Sequence, residues 1–75
     1  MPHALKIEVG DVFRVCSESG RFAGLVGQVT ALSEGPLHRC RMQFFRHRAQ
    51  PWIFCKHLDS VSDLEALAFL VQLKE

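Results

Sequence analysis

Residues 37–45 read Leu37-His38-Arg39-Cys40-Arg41-Met42-Gln43-Phe44-Phe45, and their alternation decides the fold class. Successive side chains on a strand point to opposite faces. His38, Cys40, Met42 and Phe44 therefore share one face, while Arg39, Arg41 and Gln43 share the other. An apolar face backed by a cationic one describes a strand at the surface of a small core. Toward the N-terminus, Leu25 to Leu32 reads as a strand with Gly27 inside it, and a strand glycine marks a bulge or a close backbone approach. Val12-Phe13-Arg14-Val15-Cys16 is rich in β-branched and aromatic residues and follows the turn signal Gly10-Asp11. Residues 1–7 carry little pattern and read as a lead-in. The polar stretches Ser17-Glu18-Ser19-Gly20 and Ser33-Glu34-Gly35-Pro36 read as a loop and a turn. Beyond the deciding stretch, Arg46 to Pro51 is a polar loop and Trp52 to Cys55 a short strand. Pro51 sits at its start, where a missing N–H is tolerated.

Past Val61 the period changes. Ser62-Asp63-Leu64-Glu65 matches a capping box, in which the Ser62 hydroxyl accepts from the Glu65 amide and the Glu65 carboxylate reaches back. Asp63 and Glu65 suit the positive end of a helix dipole and Lys74 the negative end. At 100° per residue, Leu64, Leu67, Ala68 and Val71 form one apolar face, yet Phe69, Leu70 and Leu73 fall on other sides. A helix apolar nearly all round is buried on more than one side. The expectation is a helix that packs on its own domain and meets a second surface through Leu64, Leu67, Phe69, Leu70 and Leu73. A symmetric copy of the chain is the simplest partner. The alternative is a helix that plugs the open end of a small barrel and leaves a small exposed patch.

The chain has 75 residues, 48% of them hydrophobic and 23% charged, with net charge +1. That is the size and composition of a single globular domain, residues 1–75. It argues against a disordered chain and against a strongly basic or acidic tail. Leu64 to Leu73 is too short to span a membrane. Three cysteines is an odd number, and no signal-peptide pattern precedes them, so the expected compartment is the cytoplasm.

Taken together, Glu8-Val9-Gly10-Asp11-Val12-Phe13-Arg14-Val15 and Gly20-Arg21-Phe22-Ala23-Gly24-Leu25-Val26-Gly27-Gln28-Val29 resemble the KOW motif of SH3-like barrels. That motif occurs in NusG-type transcription elongation factors and some ribosomal proteins. Cys40 to Arg46 and Pro51 through Leu58 to Val61 are similar to the last strands of such a barrel. Sequences of this kind also occur in SH3-like small subunits of larger complexes, among them photosystem I, where the barrel binds protein. The resemblance implies a mainly β fold: a five-stranded SH3-like barrel over residues 8–61 followed by one C-terminal α-helix over 62–74. It implies turn roles for Gly10 and Gly24 and a close approach at Gly27. The acidic loop at Glu18 and the final helix depart from the motif.

Charge is unevenly placed. Arg39, Arg41, Arg46, Arg48 and Lys56 fall between Gly35 and Leu58 with no Asp or Glu among them, whereas the remainder holds four basic and eight acidic residues. Such a patch suits phosphates or an acidic protein, and arginine's planar fork suits bidentate contact with either. Single-strand binders add aromatic platforms for bases, and Trp52, Phe45 and Phe22 are the candidates. The competing reading places Trp52 in the core and leaves the arginines an ordinary solvated face. The resulting expectation is a non-catalytic binding module that recognises RNA or another nucleic acid. The alternative is an adapter that docks on an acidic protein partner or forms a homodimer through its helix.

His38 with Cys40 and Cys55 with His57 are two i, i+2 pairs, and on neighbouring strands they could supply four ligands to zinc. Their spacing departs from a C-x2-C knuckle, and burial explains the cysteines without metal, so no cofactor is expected. Nor is an active site. The acidic residues show no paired spacing, nothing groups a thiolate with an imidazole and an orienting group, and the Gly20 to Gly27 run opens a strand rather than a helix N-terminus.

Overall fold

Alternation fixes each strand's inward side, and the observed ladders put those sides together. The structure is a computed structural model that describes residues 7–16, 20–33 and 38–74. The expected Ser17-Glu18-Ser19 loop, most of the Ser33-to-Pro36 turn and most of the lead-in lie outside the described residues. Strand β1 is Val12–Val15, β2 Val26–Leu32, β3 Arg39–Phe44, β4 Trp52–Phe54 and β5 Leu58–Ser60, followed by helix α1, Asp63–Lys74. They form one antiparallel sheet in the order β4-β3-β2-β1-β5.

All five strands feed one core: Phe13 and Val15 from β1, Val29 from β2, Cys40, Met42 and Phe44 from β3, Ile53 from β4 and Leu58 from β5. The connection between the two sheet edges is short. β4 and β5 are joined only by the 3-10 turn Cys55–His57. In a flat five-stranded sheet the outer strands would stand about 19 Å apart, too far for three residues of 3-10 turn at about 2 Å rise each. The sheet must therefore curl around its own core. It is nonetheless unclosed, since no ladder joins β4 to β5 among the described residues. The finding is thus a mainly β fold of five antiparallel strands and one C-terminal helix, without a shown barrel closure.

Gly27 illustrates how tightly the curl packs. It pairs with Phe13 on one side and Phe44 on the other. A Cβ built on it would lie 2.6 Å from the Phe44 ring and 3.0 Å from the Gln43 carbonyl oxygen. The ring has little room to retreat, because it stacks on Phe22 with centroids 5.3 Å apart and meets the His47 ring edge-on at 6.2 Å. The glycine is required by space rather than by backbone angle.

The helix begins at the expected cap: the Glu65 amide donates to Ser62 Oγ at 3.1 Å. The reciprocal half of the capping box is replaced. The Glu65 carboxylate instead accepts from the Arg14 guanidinium, because Arg14 projects from the side of β1 opposite Phe13 and Val15 and offers a full charge rather than an amide. This pair ties α1 to the outward side of the sheet, and Phe69 is buried apart from the main core.

Candidate nucleic-acid interface

Strand pairing places the cations and aromatics of the basic stretch side by side. In the β3–β4 ladder Arg41 lies opposite Trp52, Arg39 opposite Phe54, and Cys40 opposite Ile53 between them. Directly opposed residues on one face of an antiparallel pair hold their Cβ atoms roughly 5 Å apart. Because Cys40 and Ile53 point into the core, the two flanking pairs share the outward face. Arg39 and Arg41 are exposed. Trp52 is 47% and Phe54 40% exposed, which sets aside the reading of Trp52 as a core residue. Two exposed arginines on one strand thus stand opposite two exposed aromatic residues on the next.

Local contacts hold this face in register. The Arg39 N–H donates to Ser33 Oγ at 3.0 Å, and the Ser33 amide donates to the Arg39 carbonyl at 2.9 Å, which closes the end of the β2–β3 pair. Arg41 Nε donates to the Gln50 carbonyl at 3.3 Å. The Thr30 hydroxyl bridges the Arg41 carbonyl and the Gln50 side chain at 3.3 and 3.4 Å. Thr30 stands at the point where the β2–β3 register shifts, between Val29 and Ala31. The shift bends the ladder beside the basic strand.

The remaining cations flank the face. Lys56 Nζ lies 5.8 Å from the Phe54 ring centroid, and the His57 ring meets Phe54 edge-on at 5.9 Å. Arg46 and Arg48 are exposed on the turn after β3. Arg46 adopts a left-handed backbone, φ 64°, with its guanidinium 5.2 Å from the Phe45 ring centroid. A non-glycine residue there costs about 1–2 kcal/mol. Of the other aromatic candidates, Phe45 is half-buried beneath Arg46, and Phe22 is half-buried on Phe44, so neither forms an open platform.

Phe54 is the residue that sequence reasoning missed. Its signal lay in Trp52-Ile53-Phe54: with Ile53 inward, an i, i+2 spacing sends both rings outward together.

The four residues considered for zinc are not gathered. Among the described residues no group of three or more His, Cys, Asp or Glu side chains is placed to hold a metal ion. The Cys40 thiol is buried and lies 3.8 Å from the Ile53 carbonyl oxygen. Burial foremost, and the neighbouring Cys55 with it, pushes its pKa up to about 12. A thiol so placed stays protonated near neutrality and is a poor nucleophile or ligand.

On α1 the expected interface set divides in two. Phe69 is buried within its own chain, and Leu70 and Leu73 are half-buried, while Leu64 is 78% and Leu67 59% exposed. Ala68 and Val71 are exposed with them. No described helix is long and apolar enough to cross a membrane. Comparison with known proteins finds no matching family model, no matching curated protein and no matching solved structure.

Proposed function

We propose that this domain is a non-catalytic binding module for single-stranded nucleic acid, RNA foremost, on the outward face of β3 and β4. One observation carries the reading: the opposed pairs Arg41–Trp52 and Arg39–Phe54, all four side chains open to solvent. Single-strand recognition needs cations along the backbone and rings on which unstacked bases lie. A sheet face that offers two rings can seat two bases, with the guanidinium groups beside them for the intervening phosphates. Arg46, Arg48 and Lys56 extend the positive field beyond these pairs. A sheet face does not enter a major groove as a helix does, which favours single strands over base-specific reading of a duplex. The curled five-stranded sheet supports an SH3-like barrel of the KOW kind as the scaffold.

Trp52 is the only tryptophan in the chain, so intrinsic fluorescence reports on the site directly. Mixed-sequence single-stranded RNA should quench Trp52, with micromolar affinity that falls steeply from about 50 to 200 mM salt. An RNA titration that leaves the fluorescence unchanged at the lowest salt would remove this reading. Binding of an acidic polypeptide in place of RNA would assign the same arginines to a protein partner.

A further inference from the structure

We infer that α1 is the contact surface of an antiparallel, two-fold symmetric dimer of this chain. The inference is independent of nucleic-acid binding and rests on what the helix leaves outside.

The side of α1 that serves its own fold is already occupied. Phe69 is buried, Leu70 and Leu73 are half-buried, and Glu65 engages Arg14. The opposite side carries Leu64, Leu67, Ala68 and Val71, all exposed. Their spacing of three, four and seven residues makes a continuous stripe over two turns. An apolar stripe of this regularity has no use in the isolated domain and is the pattern of a helix that packs on another helix.

Charge selects the occupant. Asp63 and Lys74 are both exposed and stand at opposite ends of the helix. They are eleven residues apart, which at 100° per residue brings them to within about 20° of one another around the axis. Both therefore lie on the same edge of the apolar stripe, about 16 Å apart along it. In an antiparallel pair, matching edges of the two helices face each other with their ends exchanged. Asp63 of each copy then meets Lys74 of the other, twice by symmetry. A parallel pair would turn that edge toward the opposite edge of its neighbour and leave these charges unmatched. Antiparallel packing also sets the helix dipoles head to tail.

Packing follows the same symmetry. With the two-fold axis passing between Leu67 and Ala68, Leu64 of one copy meets Val71 of the second along the centre of the stripe, Leu67 meets its symmetry mate on the charged edge, and Ala68 meets its own on the other. The surface is self-complementary in shape and in charge, as an isologous interface requires. A 12-residue helix offers a contact only about 18 Å long. That falls short of the roughly 800 Å² per partner of a standard interface, so the dimer forms reversibly at high protein concentration.

Sedimentation equilibrium of the full chain from about 10 µM to 1 mM, the range suited to so small an interface, tests this. The expected result is a concentration-dependent shift from monomer to dimer. Leu67→Glu sets carboxylates at the centre of the contact and should weaken association about a hundredfold. Asp63→Lys or Lys74→Asp alone should weaken it about tenfold. Mixing these two single variants should restore it, because each copy then offers the charge that the other lacks. All three sites are exposed, so helix content by circular dichroism should be unchanged and keeps a loss of association separate from a loss of folding. A chain that stays monomeric to 1 mM overturns the proposal. So does association that survives Leu67→Glu, or single charge variants that do not rescue one another.

Discussion

The outward face of β3 and β4 and the outward stripe of α1 both expose large apolar side chains, yet their surroundings differ. Trp52 and Phe54 stand opposite Arg41 and Arg39, with Lys56 beside them. Leu64, Leu67 and Val71 have only aliphatic neighbours along the stripe, with one acid and one base at its ends. Flat rings among cations can offer a π-face to a base and a charge to its phosphate. Branched aliphatic side chains offer neither, and gain only from a complementary apolar surface. Exposure alone would class the two faces together. The residues beside the exposed ones separate a polyanion site from a protein contact.

The largest expected effect tests that separation directly. Arg39→Ala with Arg41→Ala should lower RNA affinity about a hundredfold at low salt. It should also reduce the salt dependence by about 0.7 per lost phosphate contact. Dimerisation should be unchanged, because both residues belong to β3 and neither is part of the α1 stripe. Leu67→Glu should do the reverse, leaving RNA affinity as it was. Fluorescence titration and sedimentation on the same two variants check both halves. A variant that impaired both activities would merge the faces into one surface.

A core substitution should instead damage both faces at once. Gly27→Ala places a methyl group against the Phe44 ring and the Gln43 carbonyl. Phe44 is held by Phe22 and His47, so relief requires the β2 and β3 backbones to separate. Overpacking of this kind costs about 1–3 kcal/mol, to be read as a lower urea midpoint at unchanged m-value. Because the domain has a small core, that is a large share of its stability. Both activities should then fall with the folded fraction. Wild-type stability in this variant would mean that the sheet is slack at this point and that Gly27 is not a packing requirement.

Much of this arrangement was legible in the chain, for reasons that differ by region. The alternation of β3 was readable because its inward side is apolar and its outward side cationic, so one residue of slip would bury a guanidinium. The cap at Ser62 was readable because a hydroxyl three residues before an amide needs no long-range information. The Glu65 carboxylate was not, since Arg14 is 51 residues away in sequence and only the sheet brings it near. Phe54 escaped for a related reason. A three-residue strand shows too little alternation to declare its faces, and Ile53 becomes inward only through its pairing with Cys40. On α1 a nearly uniform apolar helix does not say which side the fold will take. Phe69 and the Arg14–Glu65 pair decide that, and they leave the more regular stripe outside.

The smallest expected effect lies at the joint between the two faces. Ser62→Ala removes the acceptor for the Glu65 amide and should cost about 1 kcal/mol, in line with the loss of an N-cap hydroxyl. The loss is local, because Phe69 in the middle of the helix remains buried. Fraying of the first turn loosens Leu64 and Asp63, which the dimer uses, and Glu65, which ties the helix to Arg14. That exposed ion pair contributes little by itself, about 0.2–1 kcal/mol, and cannot hold the turn once the cap is gone. Ser62→Ala should therefore weaken dimerisation a few-fold while Trp52 quenching by RNA keeps its affinity and salt slope. Equal dimerisation in wild type and variant would place the contact in the second half of α1, around Val71, rather than along the whole stripe. An altered salt slope would mean instead that the helix start feeds back on β3, and that the faces are coupled through the sheet.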